Sequence, residues 1–279
     1  AADQIDVNYT VAEKASGNLM AGVGFSQTQG IVFNANVTQD NVFGSGKRVN
    51  LAFNNSNIST QYSFGFLNPY FTADGVSLGY DIGYQTRNAA QANISRYNTN
   101  TMNAGVNFGI PLNEFDRLGF FLDLKRTKLK ESDISSQEIL DFISQNQGSN
   151  NTFDTLSASI SWSHNSLNRM IMPSEGGQQR LSALGTVPGS DLLYYKVDYN
   201  QQHYFPLAKD LIFRLRGEVA YGDGYGKTKS LPFFEHYFNG GVRSVRGFND
   251  NTLGPRDSKG LPIGGSSKIV GNAELFFPV

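Results

Sequence analysis

The sequence predicts an all-β chain, an antiparallel transmembrane β-barrel of about twelve strands, and three observations carry that prediction. Apolar and polar residues alternate with period two from Gly17 to the end, the pattern of strands with two unlike faces. Charged residues are 17% of the 279 positions, against about 25% in an ordinary soluble chain, while 30 Gly, 21 Phe and 13 Tyr take their place. The longest apolar runs, such as Phe120 to Leu122 or Leu275 to Val279, fall far short of the roughly 18 residues that a helical span requires. A formal net charge of -1 carries no polyanion footprint, so nucleic acid is excluded as a partner. Cysteine is absent, which removes disulfides and thiolate metal sites. No secretory signal stands at Ala1, which predicts a mature or trimmed chain.

The strands follow in order. Leu19, Ala21, Val23 and Phe25 mark the first, and Ile31, Phe33, Ala35 and Val37 the second, with polar Asn34, Asn36 and Thr38 between them. Val49/Leu51/Phe53, Tyr62/Phe64/Phe66 and Val76 to Tyr84 give the next three. Met102 to Phe108, Leu118 to Leu124, Leu156 to Trp162 and Leu181/Ala183 continue the count. Tyr195/Val197/Tyr199, Phe213 to Tyr221 and Ile269 to Phe277 complete it. A soluble β-sandwich shows the same alternation, but its strands average about 5 or 6 residues, whereas several here reach the ~10 that cross a bilayer. Aromatics gather near strand ends, as in Asn68-Pro69-Tyr70-Phe71, Tyr204-Phe205-Pro206 and Phe276-Phe277-Pro278, where an interfacial girdle is expected.

Alternate turns of an up-and-down barrel lie on opposite sides of the membrane. The three longest connections, Thr86 to Tyr97, Lys130 to Asn151 and Gly222 to Lys268, share one parity, while Pro-containing shorter turns share the other. The long loops are therefore expected outside the cell and both chain ends on the inner side of the membrane. Ile5, Val7, Tyr9 and Val11 alternate ahead of Gly17, which predicts that residues 1–16 are the end of an upstream soluble domain or a linker strand, with a further barrel strand as the alternative, and that 17–279 form the barrel. Ser135-x-x-Glu138 reads as a capping box, followed by Ile139, Leu140, Phe142 and Ile143 at helical spacing and by Gly148 as a stop; a short helix is expected there.

Catalysis finds little support. His164, His203 and His236 are isolated, with no metal-ligand spacing and no nucleophile motif, so no catalytic residue, metal or cofactor is expected. Gly222-Asp223-Gly224-Tyr225-Gly226-Lys227 lacks the helix and spacing of a phosphate cradle and reads as a loop hinge. The third long loop differs from the others. Gly240-Gly241-Val242-Arg243-Ser244-Val245-Arg246-Gly247-Phe248 follows the aromatic stretch Pro232 to Phe238, a composition suited to a loop folded back into the lumen, where Phe248 needs apolar cover and Arg246 a carboxylate.

Val245-Arg246-Gly247-Phe248 resembles the VRGF signature of the superfamily of barrel-assembly and polypeptide-transport proteins. Gln39 to Gly46, Asn68 to Gly79, Pro188 to Asp191 with Tyr194 to Val197, and Gly222 to Gly224 are similar to one branch of it, the BamA family of outer-membrane assembly factors. The resemblance implies a bacterial outer-membrane protein, not an enzyme, that works within the BAM complex to fold and insert unfolded client β-barrel proteins. It implies outer membrane lipid, lipopolysaccharide and accessory BAM lipoproteins as further partners. It also implies a lock between Arg246 and an acidic wall residue, matched here by Glu274. Client strands are then expected to add at the first-strand edge, Gly17, Asn18, Leu19, Met20, Ala21, Gly22, Val23, Gly24 and Phe25, whose glycines weaken the seam. Family barrels have sixteen strands behind repeated POTRA domains, so about twelve of an expected sixteen are present and the chain reads as a C-terminally incomplete fragment. A closed twelve-stranded barrel is the alternative. For function, the alternatives are a two-partner-secretion type transporter and a passive diffusion porin.

Overall fold

The computed structural model describes residues 7–10, 12, 15–26, 29–130, 135–146 and 150–277. Twelve antiparallel strands form one sheet in sequence order: β1 (Gly17–Ser26), β2 (Gly30–Gln39), β3 (Arg48–Asn55), β4 (Ser59–Asn68), β5 (Ser77–Asn88) and β6 (Asn98–Pro111). The second half comprises β7 (Asp116–Lys130), β8 (Thr152–Asn165), β9 (Gly176–Thr186), β10 (Tyr194–Ala208), β11 (Leu211–Gly224) and β12 (Ser267–Phe276). Each strand pairs with its neighbours in the chain, and β1 does not pair with β12. Among the described residues the sheet is therefore open between β1 and β12, unlike the closed twelve-stranded alternative.

Register keeps the greasy residues in one layer. Leu19 faces Val37, Leu51 faces Phe64, Leu122 lies between Val106 and Ala158, and Val219 faces Ile269. These side chains stay uncovered, with Val23 at 71% and Ile269 at 79% of full exposure. In water each such side chain forgoes about 1.5–3 kcal/mol of burial, so a soluble sandwich with this surface has no rationale, while a hydrocarbon surround makes the same exposure favourable. The opposite face is polar and internally bonded. Asn50 Nδ2 donates to Asn36 Oδ1 and Thr38 Oγ1, both at 2.9 Å, and Asn103 Nδ2 donates to Asp81 at 3.1 Å.

The buried core sits above the sheet rather than within it. Ile94, Tyr97, Leu129, Ile139, Phe153, Leu192, Leu231, Phe233 and Ile263 come from the long connections and adjoining strand ends and form a dome at one end of the molecule. Helix α1 (Gln137–Asn146) contributes Ile139 and Phe142 to it. Ser136 carbonyl accepts the Leu140 amide, Ser135 Oγ donates to the Arg96 carbonyl, and Glu138 accepts from Ser258 N and Oγ. The helix thus begins two residues after Ser135, and Glu138 serves a tertiary bond to the last long loop; Gly148 lies outside the described residues.

At the opposite end the turns are short. Asp116 there accepts from Trp162 Nε1 at 3.1 Å and Asn113 Nδ2 at 2.9 Å and lies 3.0 Å from His164 Nδ1, fixing an indole and an imidazole at the margin of the apolar layer. Near the N-terminus Val7 to Thr10 carry no strand and Val7 and Tyr9 are exposed, while Ile5 and Val11 lie outside the described residues.

Candidate functional site

The loop between β11 and β12 returns over the polar face in three parts. Its descending arm is built around Phe233 and Glu235. Phe233 meets Tyr97 and Phe142 edge-on at 4.8 and 5.2 Å and is buried in the dome. Glu235, two residues on, points the other way and is held by two strands at once: Lys125 Nζ of β7 lies 2.5 Å from Oε1, and Lys196 Nζ of β10 lies 3.3 Å from Oε2 and 3.1 Å from the Glu235 carbonyl oxygen. Lys125 also donates to Tyr194 Oη at 3.2 Å, and Lys196 lies 4.7 Å from the centre of the Tyr237 ring. Burial acts to raise the Glu235 carboxyl, but the two ammonium groups outweigh it and hold its pKa down at about 2. His236 spans the loop's two limbs, with Nδ1 3.0 Å from the Ile263 carbonyl and Nε2 3.1 Å from that of Leu231.

The tip is Gly240 to Phe248. Gly240 and Gly241 have φ of +110° and +89°, and a Cβ on either would collide, with the Asn249 carbonyl oxygen or with the Asp250 side chain. Gly241 N donates to the Phe248 carbonyl at 2.9 Å, and Ser244 Oγ bonds Gly240 N and O at 2.8 and 2.9 Å, which closes a compact hook. Three contacts fasten the hook to β11 and β12. Arg216 Nη1 donates to the Arg243 carbonyl at 2.9 Å, Asn272 Nδ2 donates to the Ser244 carbonyl at 2.8 Å, and Arg246 pairs with Glu274. Glu274 also pairs with Arg214, which stands opposite it in register on β11.

Arg246 and Glu274 are thus brought together, but the surroundings are unequal: the Glu274 side chain is 12% exposed and that of Arg246 is 68% exposed. Phe248 is 53% exposed, so the apolar cover expected for it is not there; the hook closes through its backbone and leaves the ring outside. Val245 and Gly247 serve the turn, Gly247 at φ +87°. Sequence reasoning missed Glu235. Its signal was parity, since Lys125 and Lys196 fall on the polar phase of their strands opposite a loop carrying one carboxylate among aromatics.

The second candidate is β1. Ten register pairs from Gly17↔Gln39 to Ser26↔Gly30 occupy one edge, and the other edge has no partner strand among the described residues. Most of its side chains from Gly17 to Phe25 are exposed. Gly17 and Gly22 leave room for Gln39 and Asn34, which stand 2.8 and 2.7 Å from where a Cβ would be, and nothing lies within 4 Å at Gly24. Among the described residues no group of three His, Asp or Glu side chains is placed to hold a metal ion.

With this geometry in place, comparison with known proteins is informative. The model of the Omp85 superfamily domain matches residues 41–279. The chain is 37% identical over 99% of its length to the outer membrane protein assembly factor BamA of Neisseria meningitidis, of which it covers 36%. It is 26% identical over 99% of its length to the BamA of Nitratidesulfovibrio vulgaris, of which it covers 34%. The chain therefore spans about a third of these relatives. Among solved structures, BamA from Haemophilus ducreyi lacking POTRA domains 1–3 superposes with a TM-score of 0.88 at 30% identity, over 96% of this chain and 54% of that one.

Proposed function

Because this chain belongs to the Omp85 superfamily, we propose that it forms the barrel portion of a factor that folds and inserts β-barrel proteins into the bacterial outer membrane. The observation that carries the reading is the superposition on BamA from Haemophilus ducreyi, together with an outward apolar layer and a long loop fastened over the polar face. An unpaired strand edge offers a row of N–H and C=O groups, and a client strand in extended form satisfies them by β-augmentation without any covalent step. At a lipid boundary those groups have no water to bond, so each hydrogen bond gained there is worth more than at a soluble edge.

The long loop suits this role as a plug and brace. Its Arg246–Glu274 contact acts as a lock on β12, and Glu235 fixes the descending arm to β7 and β10, so the wall opposite β1 stays rigid while the first-strand edge remains available. The substrates on this reading are unfolded client barrels, with accessory BAM lipoproteins and outer-membrane lipid as partners. β1 begins at the short-turn end, which supports a periplasmic N-terminus, with residues 1–16 leading from an upstream domain and 17–279 as barrel. Cysteines placed singly from Asn18 to Phe25 in the full-length protein are expected to crosslink to the last strand of a client under assembly. Absence of adducts along the whole strand rules out edge templating at β1.

A further inference from the structure

Polar contacts fasten the hook from Gly240 to Phe248, and its apolar side chains add little, since Val242 and Phe248 are both exposed. Each charged group of the wall that receives the hook also has a partner on the wall. Glu274 pairs with Arg214 as well as with Arg246. Arg216, which donates to the Arg243 carbonyl, pairs with Glu218, and Glu218 in turn pairs with Lys268. Arg214 is held by the wall itself. It stands on β11 opposite Glu274, donates through Nη1 to Tyr204 Oη on β10 at 3.2 Å, and lies 5.8 and 5.4 Å from the ring centres of Tyr204 and Phe276. Its side chain is 20% exposed, against 68% for Arg246. The Glu235 arm is built the other way: without its carboxylate, Lys125 and Lys196 have no second ion pair among the described residues.

A carboxylate withdrawn from water is costly when it stands alone and tolerable when a cation stays with it. Departure of Arg246 leaves Glu274 with Arg214, and Arg246 itself, already mostly in water, loses little. Departure of the Arg243 carbonyl leaves Arg216 with Glu218. Departure of Glu235 instead strands two largely buried ammonium groups. We propose that Arg214 is a positioning residue that keeps Glu274 paired while the hook is away, so that the hook detaches and re-engages as a catch and the arm stays fixed. The inference rests on the reading of the loop as a brace and says which part of that brace is reversible.

The test uses the full-length protein in phosphatidylcholine vesicles, with one spin label at Val242 on the hook and another at Ile269 on the outer face of β12, both exposed positions. Pulsed dipolar spectroscopy reads the distances between them. The protein with its native wall is expected to show a docked distance and a second, displaced one. Removing the resident cation is expected to tighten the catch, because Glu274 then depends on Arg246 alone: Arg214→Met lowers the displaced population at least about tenfold. R214K is expected to keep both distances, and R214M/E274Q to restore the displaced one, since no charge is then stranded. R214Q replaces R214M should the latter fail to insert. A side chain that merely packs the wall gives the opposite sign, a looser hook in R214M that E274Q does not correct. That result, an unchanged R214M, or a docked distance alone with the native wall each overturns the proposal. Absence of any docked distance with the native wall is a separate failure, which removes the brace itself.

Discussion

Two carboxylates attach the long loop to the wall, and their surroundings decide how much each contributes. Glu235 has an 18% exposed side chain between two lysines, while the Arg246 guanidinium that reaches Glu274 is 68% exposed. Breaking a buried pair leaves an uncompensated charge, whereas a solvated pair is worth little. Glu235→Ala is therefore expected to destabilise loop docking by about 3 kcal/mol and Arg246→Ala by about 1 kcal/mol or less. Protease clipping of the loop in the two variants checks the order. The depressed Glu235 pKa of about 2 also sets a pH window. Its folded value lies below the ordinary carboxylate value of 4.5, so its stabilisation is complete above that value and fades as pH falls toward 2. A spin label at exposed Val242 is expected to gain mobility across that window, and Glu235→Gln to be mobile already at neutral pH.

At the scale of elements, the dome compensates for a sheet that has no core of its own. Phe233 touches Tyr97 and Phe142, which arrive from the β5–β6 connection and from α1, so one ring joins three connections. Phe233→Ala is expected to cost about 3–5 kcal/mol, read as a lower urea midpoint for exposure of the three loops to protease, with the sheet unaffected. The twelve strands were legible in the sequence because two-faced alternation is a local property that each segment displays alone. Strand ends beyond the membrane were harder to read: β6 starts at Asn98, where polar residues occupy both phases, and β7 runs to Lys130, where the contrast inverts and buried Leu129 lies between exposed lysines. The Glu235 arm was illegible for another reason. Its partners lie 110 and 39 positions away in the chain, and only sheet order brings β7 and β10 to the same loop. Arg246 and Glu274 were named from a resemblance, which carries no information about exposure, and so the uncovered Phe248 ring was not foreseen.

The molecule as a whole reverses the usual arrangement: apolar outside, polar inside, with its packed core confined to one cap. Edge templating and the loop brace both depend on that reversal being a response to lipid. The direct measurement is a pair of spin labels on adjacent residues of β7, at Leu122 and Asp123, in vesicles, read by relaxation with oxygen, which partitions into hydrocarbon, and with a water-soluble nickel complex. The account predicts that oxygen relaxes the label at 122 and nickel the label at 123. Nickel access at 122 equal to that at 123 would contradict it.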